Sequence, residues 1–147
     1  MDKNFQLKPA LISIIISLIA VGLVAFVFGF LYHKFEKEKL PQIEEKMEEN
    51  MAENLLDKFM RARISGDKEA VKIYLTERAM EEVLKNKFEL GDNFKNYWVL
   101  NKKKLEKGKY LFLVEIQRNN NLEKIIEAIK IIKILDKYYI DSVELAG

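Results

Sequence analysis

The chain has 147 residues, of which 49% are hydrophobic and 33% are charged, and its formal net charge is only +2. So small a charge excess does not steer a protein toward nucleic acid, and no nucleic-acid partner is expected. Cysteine is absent. Its absence excludes disulfides and a lipid anchor attached through an N-terminal cysteine.

Residues 10–32 form an uncharged apolar run after a nine-residue tail, residues 1–9. At about 1.5 Å per residue, a helix of this length reaches roughly 34 Å, enough to cross a hydrocarbon layer of about 30 Å. A cleavable signal peptide has an apolar stretch of only about 7 to 15 residues. The run therefore predicts a retained, single-pass transmembrane helix, with the lipid bilayer as a partner.

Small residues recur along this segment at Gly22, Ala25 and Gly29. Such spacing lets two membrane helices approach closely, so these residues are candidates for a helix–helix contact. The alternative is simpler, because glycine and alanine are common in membrane helices whether or not they pair.

The orientation of the anchor follows from two conflicting signals. Two lysines precede the apolar run and four lie within residues 34–46, which favours a cytoplasmic C-terminus. A short basic tail before one long helix favours export of the following domain. We expect a cell-membrane protein whose soluble domain is extracytoplasmic.

Residues 33–50 are rich in Lys and Glu and predict a solvated helical stalk. Pro41 is expected to end the helix that leaves the membrane and to start a second one. His33 is the chain's only histidine and lies beside Lys34 at the membrane boundary. We interpret it as an interfacial residue.

The domain after the stalk, residues 51–147, begins with helical spacing. An amphipathic stripe starts at Ala52 and is closed by Arg63. Gly66 is expected to stop that helix, and Asp67 and Thr76 to cap two further short helices. Three helices thus fit into residues 42–87. They contain no glycine-rich phosphate loop, metal-spaced cluster or nucleophile elbow.

The second half predicts strands at 97–100, 110–116 and 138–143, which are aromatic and β-branched. Turns are expected at Lys107–Gly108, at Asn119–Asn121 and at Asp136–Lys137. Residues 122–135 are ambiguous, because their first half also fits a helix. We predict a long bulged strand there.

The order of elements, the run Arg-Ile-Ser-Gly-Asp at 63–67 and the final Lys-Tyr-Tyr-Ile-Asp-Ser-Val at 137–143 resemble the nuclear transport factor 2-like superfamily. The resemblance covers about residues 50–145. It implies an α+β fold in which a three-helix layer packs on a bent antiparallel sheet.

Enzymes of that superfamily place an Asp base with Tyr donors, or a set of Asp with Arg or His, in an apolar pocket. The candidate pocket residues here are Tyr74, Trp98, Tyr110, Phe112, Glu115 and Asp141. The plainer alternative is that the carboxylates face solvent and the aromatic residues belong to the core. No convergent catalytic set is present, so we predict no enzyme activity, catalytic residue, metal ligand or cofactor.

The main basic run could contact an anionic surface such as lipid headgroups through Lys102, Lys103, Lys104, Lys107 and Lys109. It contains no arginine and no interleaved aromatic residue. A solvated lysine hairpin is the alternative, and lysine on an edge strand also blocks edge pairing.

Two function classes remain. The first is a membrane-anchored scaffold of a bacterial envelope assembly, bound to protein partners or to itself. Its layout is similar to that of single-anchor subunits of type IV secretion machines and of cell-entry transporters. The second is a tethered domain that binds a small ligand or acts as an isomerase or hydrolase.

Overall fold

The computed structural model describes residues 9–85, 90–91, 93–119 and 124–146. The chain forms two compact units, Met1–Glu45 and Lys46–Gly147. The finer division into residues 1–9, 10–32, 33–50 and 51–147 stays a prediction.

The first unit contains helix α1, Pro9–Lys34, which includes the apolar run. The side chains described along α1, from Leu11 onward, are exposed. This helix is long and apolar enough to span a membrane.

A π-helical turn, Phe35–Lys39, follows α1 and leads directly into helix α2, Leu40–Ser65. In this turn the Leu40 N–H donates to the Phe35 carbonyl. The sequence predicts that Pro41 ends one helix and starts a second. Helical backbone continues through it, so the first half is wrong, but a new α-helix does begin beside it, at Leu40. Proline lacks an N–H and crowds the carbonyl four residues earlier, and the wider turn just upstream accommodates that irregularity.

The second unit contains the rest of α2 and two short helices, α3 at Lys68–Ile73 and α4 at Glu77–Leu84. Gly66 ends α2 with φ of 72°, a conformation that glycine adopts at little cost. Asp67 accepts from the Ala70 N–H at 2.9 Å, and Thr76 accepts from the Ala79 N–H at 3.1 Å. The predicted stop and both predicted caps are confirmed.

Four antiparallel strands follow and pair in chain order. Their bounds are β1 Phe94–Glu106, β2 Lys109–Arg118, β3 Lys124–Ile134 and β4 Lys137–Leu145. The ambiguous segment is therefore a strand, and its pairing with β4 shifts register between Lys130 and Ile131. Residues 120–123, which include most of the predicted asparagine turn, lie outside the described residues.

Two tight turns close the β1–β2 hairpin and the β3–β4 hairpin. The first is Lys107–Gly108, as predicted, with Gly108 at φ of 69°. The second is Leu135–Asp136, one residue earlier than predicted. Leu135 has φ of 56° although it is not a glycine, and its side chain is 91% exposed.

The sheet has an inner face that packs against the helices. Alternate residues of β2 are buried there, in keeping with the two-residue period of a strand. They pack with the buried stripe of α2 in one core cluster, whose largest fully buried apolar members are Phe59, Phe94, Phe112, Leu56 and Met60. Each such side chain stabilises the fold by roughly 1.5–3 kcal/mol.

The edge of β4 is partly covered by the segment between α3 and α4. The Ile140 N–H donates to the Tyr74 carbonyl at 2.8 Å, and the Thr76 N–H donates to the Ile140 carbonyl at 2.9 Å. Helices, then an antiparallel sheet with helices on one face, give the predicted α+β class.

Candidate functional site

A buried ion pair lies between α2 and the inner face of the sheet. The Arg63 guanidinium donates to both carboxylate oxygens of Glu127, at 2.5 and 3.0 Å. The two residues are 0% and 2% exposed. The contact is thus a two-pronged, charge-assisted pair without access to water, the strongest class of such contacts.

Apolar groups enclose the Arg63 side chain. Its guanidinium carbon lies 4.5 Å from the centre of the Phe94 ring and 5.3 Å from that of Phe59, which allows cation–π attraction. Gly91 has φ of 115°, and a Cβ there would come within 2.4 Å of the Arg63 carbonyl oxygen. Only glycine fits a backbone that approaches this closely.

The pair engages Glu127 in a structural contact. A carboxylate that accepts two hydrogen bonds from a fixed guanidinium is not poised to remove a proton from a ligand. The geometry is that of a structural tie between the end of α2 and the middle of β3.

The sequence did not lead us to predict the contact between Arg63 and Glu127. The available signal was a charged residue at an inward position of each pattern: Arg63 in the apolar stripe of α2, and Glu127 among the isoleucines of β3. The period of each element assigns a face, but neither period says that the two faces meet.

Three of the predicted pocket residues are part of the core or pack against it. Tyr110 and Phe112 are buried on the inner face, with ring centres 6.4 Å apart. Tyr74 is half-buried against the same cluster.

The other three do not join them. Trp98 and Glu115 are opposite each other in the β1–β2 register, on the sheet face that points away from the helices. Glu115 binds Lys124 at 2.7 Å. Asp141 is buried at the bulge of β4, where Arg78 lies 3.5 Å and Lys130 3.4 Å from its carboxylate. A pocket that unites all six residues stays a prediction without support from their placement.

A pair of buried aromatic residues lies near the start of β4. The Tyr110 and Tyr138 rings are 6.1 Å apart, and both side chains are buried. Lys133 lies 5.9 Å from the centre of the Tyr138 ring and binds Glu48 of α2 at 3.0 Å. Burial raises the pKa of Tyr138 to about 12, and the negative charge of Glu48 adds to the rise.

The predicted anionic-surface lysines are partly engaged within the fold. Lys102 binds Glu49 and, at 2.6 Å, Glu53, and these contacts raise its pKa. Lys109 binds Glu106 at 2.7 Å. The remaining three, Lys103, Lys104 and Lys107, are exposed. A contact with an anionic surface stays a prediction.

The predicted helix–helix residues of α1 lie on exposed helix surface. A Cβ added at Gly22 or Gly29 would meet nothing within 4 Å. Pairing of this helix through Gly22, Ala25 and Gly29 stays a prediction.

The sheet face that points away from the helices, which we term the outer face, carries apolar side chains among polar and charged ones. It combines two register rows, Asn101–Leu113–Ala128–Glu144 and Lys103–Leu111–Lys130–Ser142, with neighbours that include Trp98, Ile126, Ile132 and Tyr139. Leu111, Leu113 and Ile126 are half-buried but belong neither to the core cluster nor to the apolar residues packed against it. Trp98, the chain's only tryptophan, is 43% exposed.

Exposed apolar side chains interspersed with polar ones are typical of a protein-binding surface. Lys124 is one of the polar residues of this face. It binds Glu115, and its ammonium group lies 5.5 Å from the centre of the Trp98 ring. The outer face is therefore the candidate functional site.

No model of a known protein family matches the chain, and no curated protein matches it either. Among solved structures, the chain is similar to an NTF2-like protein of unknown function from Cytophaga hutchinsonii. The sequence identity is 16% and the TM-score is 0.44, over 64% of this chain and 88% of that chain. A likeness at this level does not establish membership of that superfamily and assigns no function.

Breaking the buried pair should destabilise the domain strongly. We expect Glu127→Gln to lower the free energy of unfolding by about 3–5 kcal/mol, because it leaves a buried guanidinium without its counter-charge. Replacing both partners, Arg63→Met with Glu127→Leu, should recover most of that loss. Denaturant unfolding of the full chain in detergent, followed by tryptophan fluorescence, measures both.

The matched control is Glu69→Gln, which removes an exposed ion pair with Lys72 and should cost under about 1 kcal/mol. Equal losses for Glu69→Gln and Glu127→Gln would contradict the structural role of the buried pair.

Stability should fall in alkali because of Tyr138. Its pKa is about 12 in the folded chain, against about 10 when unfolded, so only the unfolded state loses the proton between these values. The contribution is complete below pH of about 10 and is lost as pH rises to about 12. We expect Tyr138→Phe to flatten the decline of unfolding free energy with pH, and identical slopes would refute this assignment.

Proposed function

We propose that this chain is a membrane-anchored, non-enzymatic scaffold of a bacterial envelope or membrane assembly, whose extracytoplasmic domain, of nuclear transport factor 2-like fold, binds protein partners through the outer face. The observation that carries the proposal is the contrast between the two faces of the sheet. The inner face is occupied by helices and by a buried ion pair, whereas the outer face leaves apolar side chains uncovered.

Anchoring supports an interaction role. A single apolar helix confines the chain to the membrane plane, which raises the effective concentration of any partner held in the same plane. A surface of modest affinity then suffices for assembly.

The alternative is a tethered domain that binds a small ligand on the inner face. Tyr110 and Tyr138 are the observation in its favour, since buried phenols are donors that ligand sites use. Their packing into the core beside Phe112 favours the scaffold.

Capture of partners tests the proposal. The full-length chain, tagged and extracted in detergent, should recover a partner protein or a second copy of itself. Leu113→Lys should reduce the recovery about tenfold or more, because it places a charge at the centre of the outer face. Ile73→Lys is the matched control, since Ile73 is 72% exposed on α3, away from this face, and should recover as much as the wild-type chain.

Equal recovery by Leu113→Lys and by Ile73→Lys would place binding elsewhere on the chain. Recovery of nothing, together with saturable binding of a small molecule that Tyr110→Phe weakens, would favour the tethered-ligand alternative.

The orientation has a direct test because the chain contains no cysteine. A single Lys58→Cys variant should react with a membrane-impermeant thiol reagent added outside intact cells, whereas Asp2→Cys should react only after lysis. The reverse pattern would mean that the domain is cytoplasmic.

A further inference from the structure

From the apolar and basic groups around the two hairpin turns, we infer that this end of the sheet docks on the anionic phospholipid surface of the bilayer that holds the anchor. The surface comprises residues 104–109 and 133–137, and we term it the turn surface. The inference goes beyond the proposed function, from which it takes the membrane anchor but not the partner-binding outer face.

The two turns lie side by side at one end of the sheet. The Lys133 N–H donates to the Gly108 carbonyl at 2.8 Å, so the end of β3 is hydrogen-bonded to the β1–β2 turn. The chain leaves β3 at Ile134 and passes at once through Leu135–Asp136 into β4. The connection between β2 and β3 lies at the opposite end, because successive strands of an antiparallel sheet reverse direction.

The start of the domain's part of α2 lies at the same end. Glu48 of α2 binds Lys133 of the turn surface at 3.0 Å. Later in the helix, Asp57 accepts from the Tyr97 hydroxyl at 2.6 Å, near the start of β1 and far from its turn. Helix α2 therefore runs away from the turn surface, and the chain that leads back to the apolar run starts beside it.

The tether between the apolar run and the domain is short. Residues 33–48 are helical, and at about 1.5 Å per residue they span roughly 24 Å. This length limits how far Glu48 lies from the end of the apolar run, whatever direction the helix takes. Headgroups extend about 5–7 Å beyond the hydrocarbon on each side. A bilayer surface is therefore within reach of a domain on this tether.

The apolar part of the turn surface is centred on Leu135. Its φ of 56° strains the turn, and its side chain is 91% exposed, so packing within the chain does not repay that strain. A glycine there would avoid the strain altogether. Leu105 and Ile134, next to the two turns, are exposed as well. A strained position that displays a leucine to solvent points to a contact outside the chain.

The turn surface is also basic. It contains five lysines and two acids, an excess of three positive charges against +2 for the whole chain. Of the acids, Glu106 is bound to Lys109, and Asp136 is exposed. Lys107 and Lys137, one at each turn, are exposed and form no ion pair within the residues that the structure describes. Their ammonium groups are therefore available to phosphates.

An anionic phospholipid surface matches both features. Lysine stems lie along apolar groups while their ammonium groups stay at the phosphates, and an apolar side chain between them reaches the acyl boundary. Anionic lipid attracts a basic surface only within about one Debye length, ~8 Å at physiological ionic strength. Because the anchor already holds the domain beside the bilayer, contacts that are weak one by one suffice for docking.

A fluorescent probe tests the docking, since the chain contains no cysteine to compete for the label. The full-length chain with Leu105→Cys, labelled with a small fluorophore, is reconstituted in vesicles of phosphatidylcholine and phosphatidylglycerol. Lipids that carry a nitroxide high on the acyl chain should quench this probe, because nitroxides quench only at short range. The matched control is Leu145→Cys, another exposed leucine, at the opposite end of β4. Its probe should be quenched about threefold less or weaker still.

Leu135→Gly separates docking from the stability of the fold. Glycine adopts φ of 56° without strain, so the denaturant midpoint should be unchanged or higher. Quenching of the Leu105→Cys probe should nevertheless fall about threefold, because the side chain that enters the lipid is lost.

Charge reversal tests the basic part of the surface. Lys107→Glu with Lys137→Glu should lower the quenching to the level found in vesicles of phosphatidylcholine alone. The matched control is Lys58→Glu with Lys95→Glu, which makes the same change in net charge at exposed positions away from the turns. It should leave the quenching as in the wild-type chain.

Equal quenching of the Leu105→Cys and Leu145→Cys probes would overturn the inference, since the anchor would then bring the domain near lipid without a preferred end. Quenching that Leu135→Gly or the reversal of both turn lysines leaves intact would overturn it too, as would equal quenching in phosphatidylcholine alone. Each variant keeps its anchor and its outer face, so none of these failures bears on the capture of protein partners.

Discussion

The buried pair of Arg63 and Glu127 is the constraint on which the domain depends. A fully buried guanidinium packed near two aromatic rings has no water to solvate it, so the fold must supply a carboxylate at the correct distance. That requirement fixes where the last turn of α2 lies along β3. A slip of β3 by one residue would turn Glu127 to the other face of the sheet and leave the arginine uncompensated. Apolar packing alone tolerates small shifts, whereas this contact does not.

Local signals in the sequence predict most of the elements. The α+β class, the stop at Gly66 and the caps at Asp67 and Thr76 follow from backbone preferences that act within a few residues. The strand at β3 follows from its isoleucines, although residues 122–135 also admit a helix. Pro41 misleads because its effect depends on the turn before it, and a π-helical turn leaves no recognised trace in composition.

The candidate site is harder to predict, because it depends on register. Trp98 and Tyr110 are both aromatic residues of predicted strands, yet they lie on opposite faces of the sheet. Which face a strand residue occupies relative to the helices is fixed by pairing across bulges, and β1 has register shifts that β2 and β3 do not share. Counting alternation from a single sequence cannot locate those shifts. For the same reason the sequence did not predict the outer face, because its register rows contain residues from all four strands.

The Leu135–Asp136 turn bears on how the sheet is assembled. Leucine in the left-handed region is strained by its Cβ, and at 91% exposure the side chain gains no packing in return. A turn of this kind resists closing by itself, in contrast to Lys107–Gly108, where glycine adopts the required conformation freely. The β3–β4 hairpin is therefore imposed from outside the turn, by the Arg63 contact with β3 and by the backbone of Tyr74 and Thr76 on β4. The contacts that β3 and β4 make with the helices therefore offset the strain of the turn between them.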